Sequence, residues 1–165
     1  MLRRATRTEA TAETAIATGH AGPAHVLVVN DDENACELLV RLLTRAGHDV
    51  ERAHNADQAL AQLSVGRVDC AVLDLAAGGI GQNLKLIDTI RSSVTKSISG
   101  VRVVLIAQQG SSRLFSWQAG IDAFVARPFH ANELLAQVND TLSRPDGERE
   151  RHRRQEVDAA SAEAH

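Results

Sequence analysis

Solid apolar runs alternate with stretches in which apolar residues recur every three or four positions, five times over between residues 25 and 143. Val26–Val29 is unbroken, which predicts a strand buried on both faces. Leu38, Leu39, Leu42 and Leu43 follow at helical spacing, and Gly47 supplies a helix stop. A short strand is expected around Asp49–Ala53. Asn55-Ala-Asp-Gln58 then reads as a variant capping box, opening a helix with Ala59, Leu60 and Leu63 on its inner face. Val68–Leu75 is the third strand. A glycine-rich loop, residues 78–81, leads to a third helix with Leu84, Ile87 and Ile90 inward. Residues 92–100 read as a polar connection. Val101–Ala107 is a fourth apolar strand, a fourth helix runs from Ser112 to Ala119 and stops at Gly120, and Ala123–Ala126 is the fifth strand. Beyond Pro128, a fifth helix carries Leu134, Leu135, Val138 and Leu142 on one face. This alternation predicts an α/β domain: a parallel sheet with right-handed crossovers and helices on both sides.

Composition narrows the picture. The chain has 165 residues, of which 44% are hydrophobic and 2% aromatic, so the core must be aliphatic. The net charge of -3 argues against general nucleic-acid binding, and no apolar stretch reaches the roughly 20 residues that span a bilayer. Cys36 and Cys70 form no Cys-x-x-Cys pair and the seven His lack ligand spacing, which fits reduced core cysteines in a cytoplasmic protein. Residues 1–24 read as a disordered tail. From Arg144 the chain becomes strongly charged, and Pro145 and Gly147 are helix breakers. The cluster Arg149 to Arg154 could touch an acidic partner or nucleic acid. Its interleaved Glu148, Glu150 and Glu156 favour a solvated tail over residues 144–165, disordered or partly helical.

The candidate chemistry lies at strand ends. The first strand ends in Asn30, Asp31 and Asp32, and the third ends in Asp74. Ligands of open parallel sheets bind at this carboxyl edge, and paired acids there suit a hard cation or phosphoryl chemistry. Asp32 and Glu33 suit the start of the first helix, where the dipole favours anions. The 78–81 loop lacks the Lys-Ser/Thr ending of a phosphate loop. Leu114, Phe115 and Trp117 on the fourth helix serve the core where buried and a partner where exposed.

Four segments together resemble the receiver domain of bacterial response regulators: Val-Leu-Val-Val-Asn-Asp-Asp-Glu at 26–33, Val-Asp-Cys-Ala-Val-Leu-Asp-Leu at 68–75, Ala-Gly-Ile-Asp-Ala-Phe at 119–124, and Arg-Pro-Phe at 127–129. The resemblance covers residues 25–143. It implies a flavodoxin-like (βα)5 three-layer sandwich with sheet order 2-1-3-4-5. It further implies that Asp74 is the phosphoacceptor and that Mg²⁺ is held by Asp31, Asp74 and the backbone carbonyl of Ala76. Asn30 stands where the family has its first acid and would act through water. The family's switch hydroxyl falls on Ile106 or Ala107, its switch aromatic on Phe124, its Lys on Arg127, and its Pro after the phosphoacceptor on Gly78. The implied partners are a histidine kinase or another signalling protein, with a homodimer through helix four, strand five and helix five as a further option. Output is expected through protein contacts rather than catalysis on an external substrate. Two readings follow: a phosphorelay receiver using Asp74, or a phosphorylation-independent pseudo-receiver that binds proteins. An independent enzyme is disfavoured, because no nucleophile stands beside a base.

Overall fold

The computed structural model describes residues 22–110 and 112–164. Residues 1–21 of the expected N-terminal tail lie outside the described residues. Five parallel strands, β1 (His25–Asn30), β2 (Asp49–Ala53), β3 (Cys70–Asp74), β4 (Arg102–Gln108) and β5 (Ala123–Arg127), form one sheet in the order β2-β1-β3-β4-β5. Six helices connect and follow them: α1 (Glu33–Arg45), α2 (Ala56–Val65), α3 (Ile80–Arg91), α4 (Arg113–Ala119), α5 (Ala131–Ser143) and α6 (Asp146–Glu163). The expected polar connection before β4 contains one helical turn, Lys96–Ser99, because Ile98 is apolar and turns into the core.

Strand side chains alternate between faces, so the sheet divides the core in two. Leu27, Val29, Leu73 and Leu105 pack with α2, α3 and Trp117 of α4. Val26, Val28, Val72, Val104 and Ile106 pack with α1 and α5. The leucine stripe of α1 is narrower than its sequence suggests: Leu39 and Leu43 are buried, whereas Leu38 is 66% exposed.

The α2 cap forms as a shifted box. Asn55 Oδ1 accepts the Gln58 N–H at 2.8 Å, while Gln58 Oε1 accepts the His54 N–H at 2.8 Å, one residue earlier than in the usual motif. Asn55→Ala is expected to cost about 1 kcal/mol. Urea denaturation followed by circular dichroism checks this, and an unchanged midpoint would show that the cap contributes nothing.

The charged C-terminal segment is helical, one of the two forms expected of it, but it is packed on the body rather than solvated. Pro145 ends α5 and starts α6, since a proline suits the beginning of a helix where no N–H partner is needed. Gly147 falls in the first turn and does not break the helix, and Asp146 and Glu148 face the positive dipole end. Arg149 and Ala160 of α6 are buried. The inward stripe is mostly polar, so no apolar period announced it. Trp117, a candidate for the exposed partner surface, is 4% exposed and belongs to the core, because α6 supplies His152 against its ring.

Candidate functional site

β1 and β3 lie side by side with Asn30 opposite Asp74, so both strands deliver their last polar side chain to one edge of the sheet. Asp74 is 2% exposed. Its Oδ2 accepts from Asn30 Nδ2 at 2.8 Å and also from the Arg127 guanidinium at the end of β5. Burial pushes the Asp74 carboxyl up, Arg127 opposes that, and the charges of Asp31 and Asp32 add to the rise; the net direction is upward.

Asn30 works in both directions. While its Nδ2 donates to Asp74, its Oδ1 accepts the Asp32 N–H at 2.7 Å. A neutral amide can do both; an ionised carboxylate could only accept. Asp32 caps α1, accepting from the N–H groups of Asn34 and Ala35.

Asp31 reaches across to the loop after β3. Its two oxygens accept the N–H groups of Ala76 at 2.9 Å and Ala77 at 2.7 Å. Burial alone would raise its pKa, but these backbone donors prevail and hold the carboxyl below its ordinary value. Asn83 of α3, not singled out in the sequence, clamps the same loop. It accepts the Leu75 N–H at 3.0 Å and donates to the Leu75 carbonyl at 2.8 Å. Its signal was a polar residue on the helix face that carries Leu86, Ile87 and Ile90, where burial requires paired hydrogen bonds.

Beside Asp74 lies a cleft of about 160 Å³, lined among others by Ala76, Asn83, Ile106, Ala107 and Arg127. No hydroxyl side chain is among the described residues lining it. Ile106 packs on the α1–α5 side of the sheet, whereas Ala107 and Phe124 lie on the α3–α4 side. Of the two candidates for the switch hydroxyl, Ala107 therefore shares the aromatic's face. Phe124 is half-buried, with the Arg113 guanidinium 5.1 Å from its ring centre. Phe115 is 60% exposed and Leu114 half-buried, while Trp117 turns inward.

Among the described residues, no group of three or more His, Cys, Asp or Glu is placed to hold a metal. The carboxylates of Asp31 and Asp74 and the Ala76 carbonyl are hard oxygen donors of the kind Mg²⁺ takes. They fit that ion in kind, though Asp31 would have to exchange its two loop N–H partners for it, and Asn30 contributes no charge.

Comparison with known proteins supplies the context. The family model of the response regulator receiver domain matches residues 26–139. The DNA-binding response regulator MtrA of Mycobacterium tuberculosis is 31% identical over 125 residues, covering 74% of this chain and 52% of that protein. The uncharacterized transcriptional regulatory protein YrkP of Bacillus subtilis is 35% identical over 121 residues, or 72% of this chain and 49% of that one. The chain thus spans about half the length of the curated relatives it matches. Among solved structures, the response regulator TrrA of Thermotoga maritima, in complex with Mg²⁺–BeF, matches with a TM-score of 0.61 and 30% identity, covering 72% of this chain and 99% of that one. A putative response regulator from Chloroflexus aurantiacus matches with a TM-score of 0.66 and 28% identity over 74% and 99% of the two chains.

Proposed function

Because this chain belongs to the response regulator receiver domain family of two-component signalling, we propose that it is a receiver whose Asp74 pocket is held closed and whose output is protein contact without phosphorylation. One observation carries the reading: Oδ2 of the buried Asp74 is held at once by Arg127 and Asn30. A carboxylate with one oxygen shared between a guanidinium and an amide is a weaker nucleophile toward phosphorus than a free one. Ala107 and Ile106 offer no hydroxyl to draw toward a phosphoryl group, so nothing in the cleft would call Phe124 inward.

A second reading has its own support. Asp31 and Asp74 are both retained at one sheet edge, so Asp74 could still serve as phosphoacceptor. Asp31, Asp74 and the Ala76 carbonyl would then hold Mg²⁺, with Asn30 contacting it through water. The ion would supply positive charge between the carboxylate and the phosphoryl oxygens.

The proposed partner is a histidine kinase or another signalling protein, or a second copy, meeting the face of α4, β5 and α5 where Phe115 is exposed. Nucleic acid is not proposed for the basic cluster of α6. Arg149 and Arg153 turn inward to Asp122, which leaves Arg151 and Arg154 outward among acidic neighbours. No helix among the described residues is long and apolar enough to cross a membrane.

Incubation with acetyl phosphate and Mg²⁺, read by intact mass, tests the proposal. The expected result is no phosphorylated species, with Asp74→Asn binding its partner as the wild type does. A phosphorylated species that Asp74→Asn abolishes would establish the second reading instead.

A further inference from the structure

The loop after β3 is built around the carboxylate of Asp31. The N–H groups of Ala76 and Ala77 converge on its two oxygens at 2.9 and 2.7 Å. Successive backbone N–H groups aimed at one point form a nest for an anion, and here the anion is a side chain of the protein itself. Just before them, Asn83 holds Leu75 by its N–H at 3.0 Å and by its carbonyl at 2.8 Å. The Ala76 carbonyl accepts the Gly79 N–H at 3.2 Å and closes a turn over residues 76–79.

The Ala76 carbonyl and the Ala77 N–H belong to one planar trans peptide, so they point in opposite directions. With the N–H aimed at Asp31, the carbonyl is aimed away from it, toward Gly79. The backbone oxygen that would join Asp31 and Asp74 around a hard cation is therefore turned out of the pocket. It reaches the Asp31 side only if the 76–77 peptide turns over. The same rotation takes the Ala77 N–H off Asp31 Oδ2 and opens the turn to Gly79.

The surroundings leave room for this rotation. Residues 76–79 are exposed, and nothing lies within 4 Å of the place where a Cβ would stand on Gly79. Gly78 and Gly79, with φ of +76° and +69°, carry the chain through conformations that glycine enters and leaves at little cost. Asn83 pins Leu75, so the rotation starts after that residue. Ala77 opposes it. Its φ is negative, and turning over a peptide shifts the φ of the following residue by about 180°, as between turns of type I and type II. An alanine at positive φ is disfavoured by its Cβ. Ala77 thus keeps the N–H inward as long as no cation is bound.

We propose that the Ala76–Ala77 peptide is a two-position switch read by a divalent cation. Its N–H faces Asp31 in the cation-free protein, and its carbonyl faces Asp31 when Mg²⁺ is bound, with the 76–79 turn opened. The switch operates without phosphoryl transfer, so its failure would leave the reading of Asp74 untouched.

Two measurements on the full-length protein, at constant ionic strength and with no phosphoryl donor, test the idea. The first is amide exchange followed by NMR during titration with magnesium chloride. At saturation the Ala77 amide is expected to exchange at least about tenfold faster, the effect of losing a hydrogen bond to a charged group, while the Leu75 amide keeps its rate. The second is the variant Ala77→Gly, which retains every backbone donor and every oxygen of the pocket. Its Mg²⁺ affinity is expected to rise about five- to thirtyfold, because glycine takes positive φ without alanine's steric penalty. A cation site already formed would behave otherwise, with Ala77 protected as before and no gain from glycine. Either of those results overturns the proposal, as does a wild type whose loop amides do not respond to Mg²⁺ at all. Equal loss of protection at Leu75 would also overturn it, because the loop would then melt as a whole rather than turn one peptide.

Discussion

Asp122→Ala is expected to lower the unfolding free energy by about 3–5 kcal/mol, the usual effect of deleting one partner of a buried charge network. The substitution removes the acceptor shared by Arg91, Arg149 and Arg153, together with the one that takes the Val103 N–H. The body suffers as well as α6, since Arg91 of α3 loses its only carboxylate partner among the described residues. Asp122→Asn keeps one acceptor oxygen and should cost less. The same site sets an acid limit. Burial would raise the Asp122 carboxyl, but Arg149, Arg153 and Arg91 outweigh it and hold the carboxyl below its ordinary 3.8. The sign follows from linkage: the stabilisation is complete above that ordinary value and is lost as pH falls through the depressed one. Urea titrations at pH 7 and at stepwise lower pH would check both points. A midpoint for Asp122→Ala equal to that of the wild type at pH 7 would contradict the network's role.

Asn30→Asp is expected to have the second largest effect, and its sign should depend on the metal. The substitution replaces the Nδ2 donor, 2.8 Å from Asp74 Oδ2, with a third carboxylate. Like charges that close cannot both ionise freely, so the metal-free variant should lose about 2 kcal/mol near neutral pH. Asp32 would keep its N–H acceptor at position 30, so the loss comes from the Asp74 side. A hard cation reverses the balance, because three carboxylates suit it better than two. Stabilisation by Mg²⁺ grows with the ratio of its concentration to Kd, reaching about 2.7 kcal/mol at a hundredfold excess. Thermal unfolding with and without Mg²⁺ would show a large upward shift for Asn30→Asp and a small one for the wild type. Equal shifts in the two proteins would mean that Asn30 does not set the metal affinity.

Much of this architecture is legible in the sequence. The doubly apolar runs at 26–29 and 101–107 could only be central strands of a covered parallel sheet, and β1 and β4 occupy those places. Asn55 with Gln58 announced the start of α2, because a cap is a contact between near neighbours in sequence. Asp31 and Asp74 were legible as candidates because a strand that ends on an acid exposes that acid at the sheet edge. Whether Asp74 would stand free or be held was not. That depends on Asn30, Asp74 and Arg127 arriving together from three strands, and on Arg127 reaching past β4.

Local order was written into the chain itself: apolar period, caps and glycine stops act over a few residues, so the α/β alternation and the strand-end acids followed from the sequence. The tertiary structure alone decided the rest. It placed Ala107 rather than Ile106 on the face of Phe124, through the alternation of a strand whose register its neighbours set. It also turned a charged C-terminal segment into a docked helix. The partner of Arg149 and Arg153 is Asp122, a carboxylate 27 and 31 residues away, and hydrophobic periodicity carries no trace of an interface built from charge.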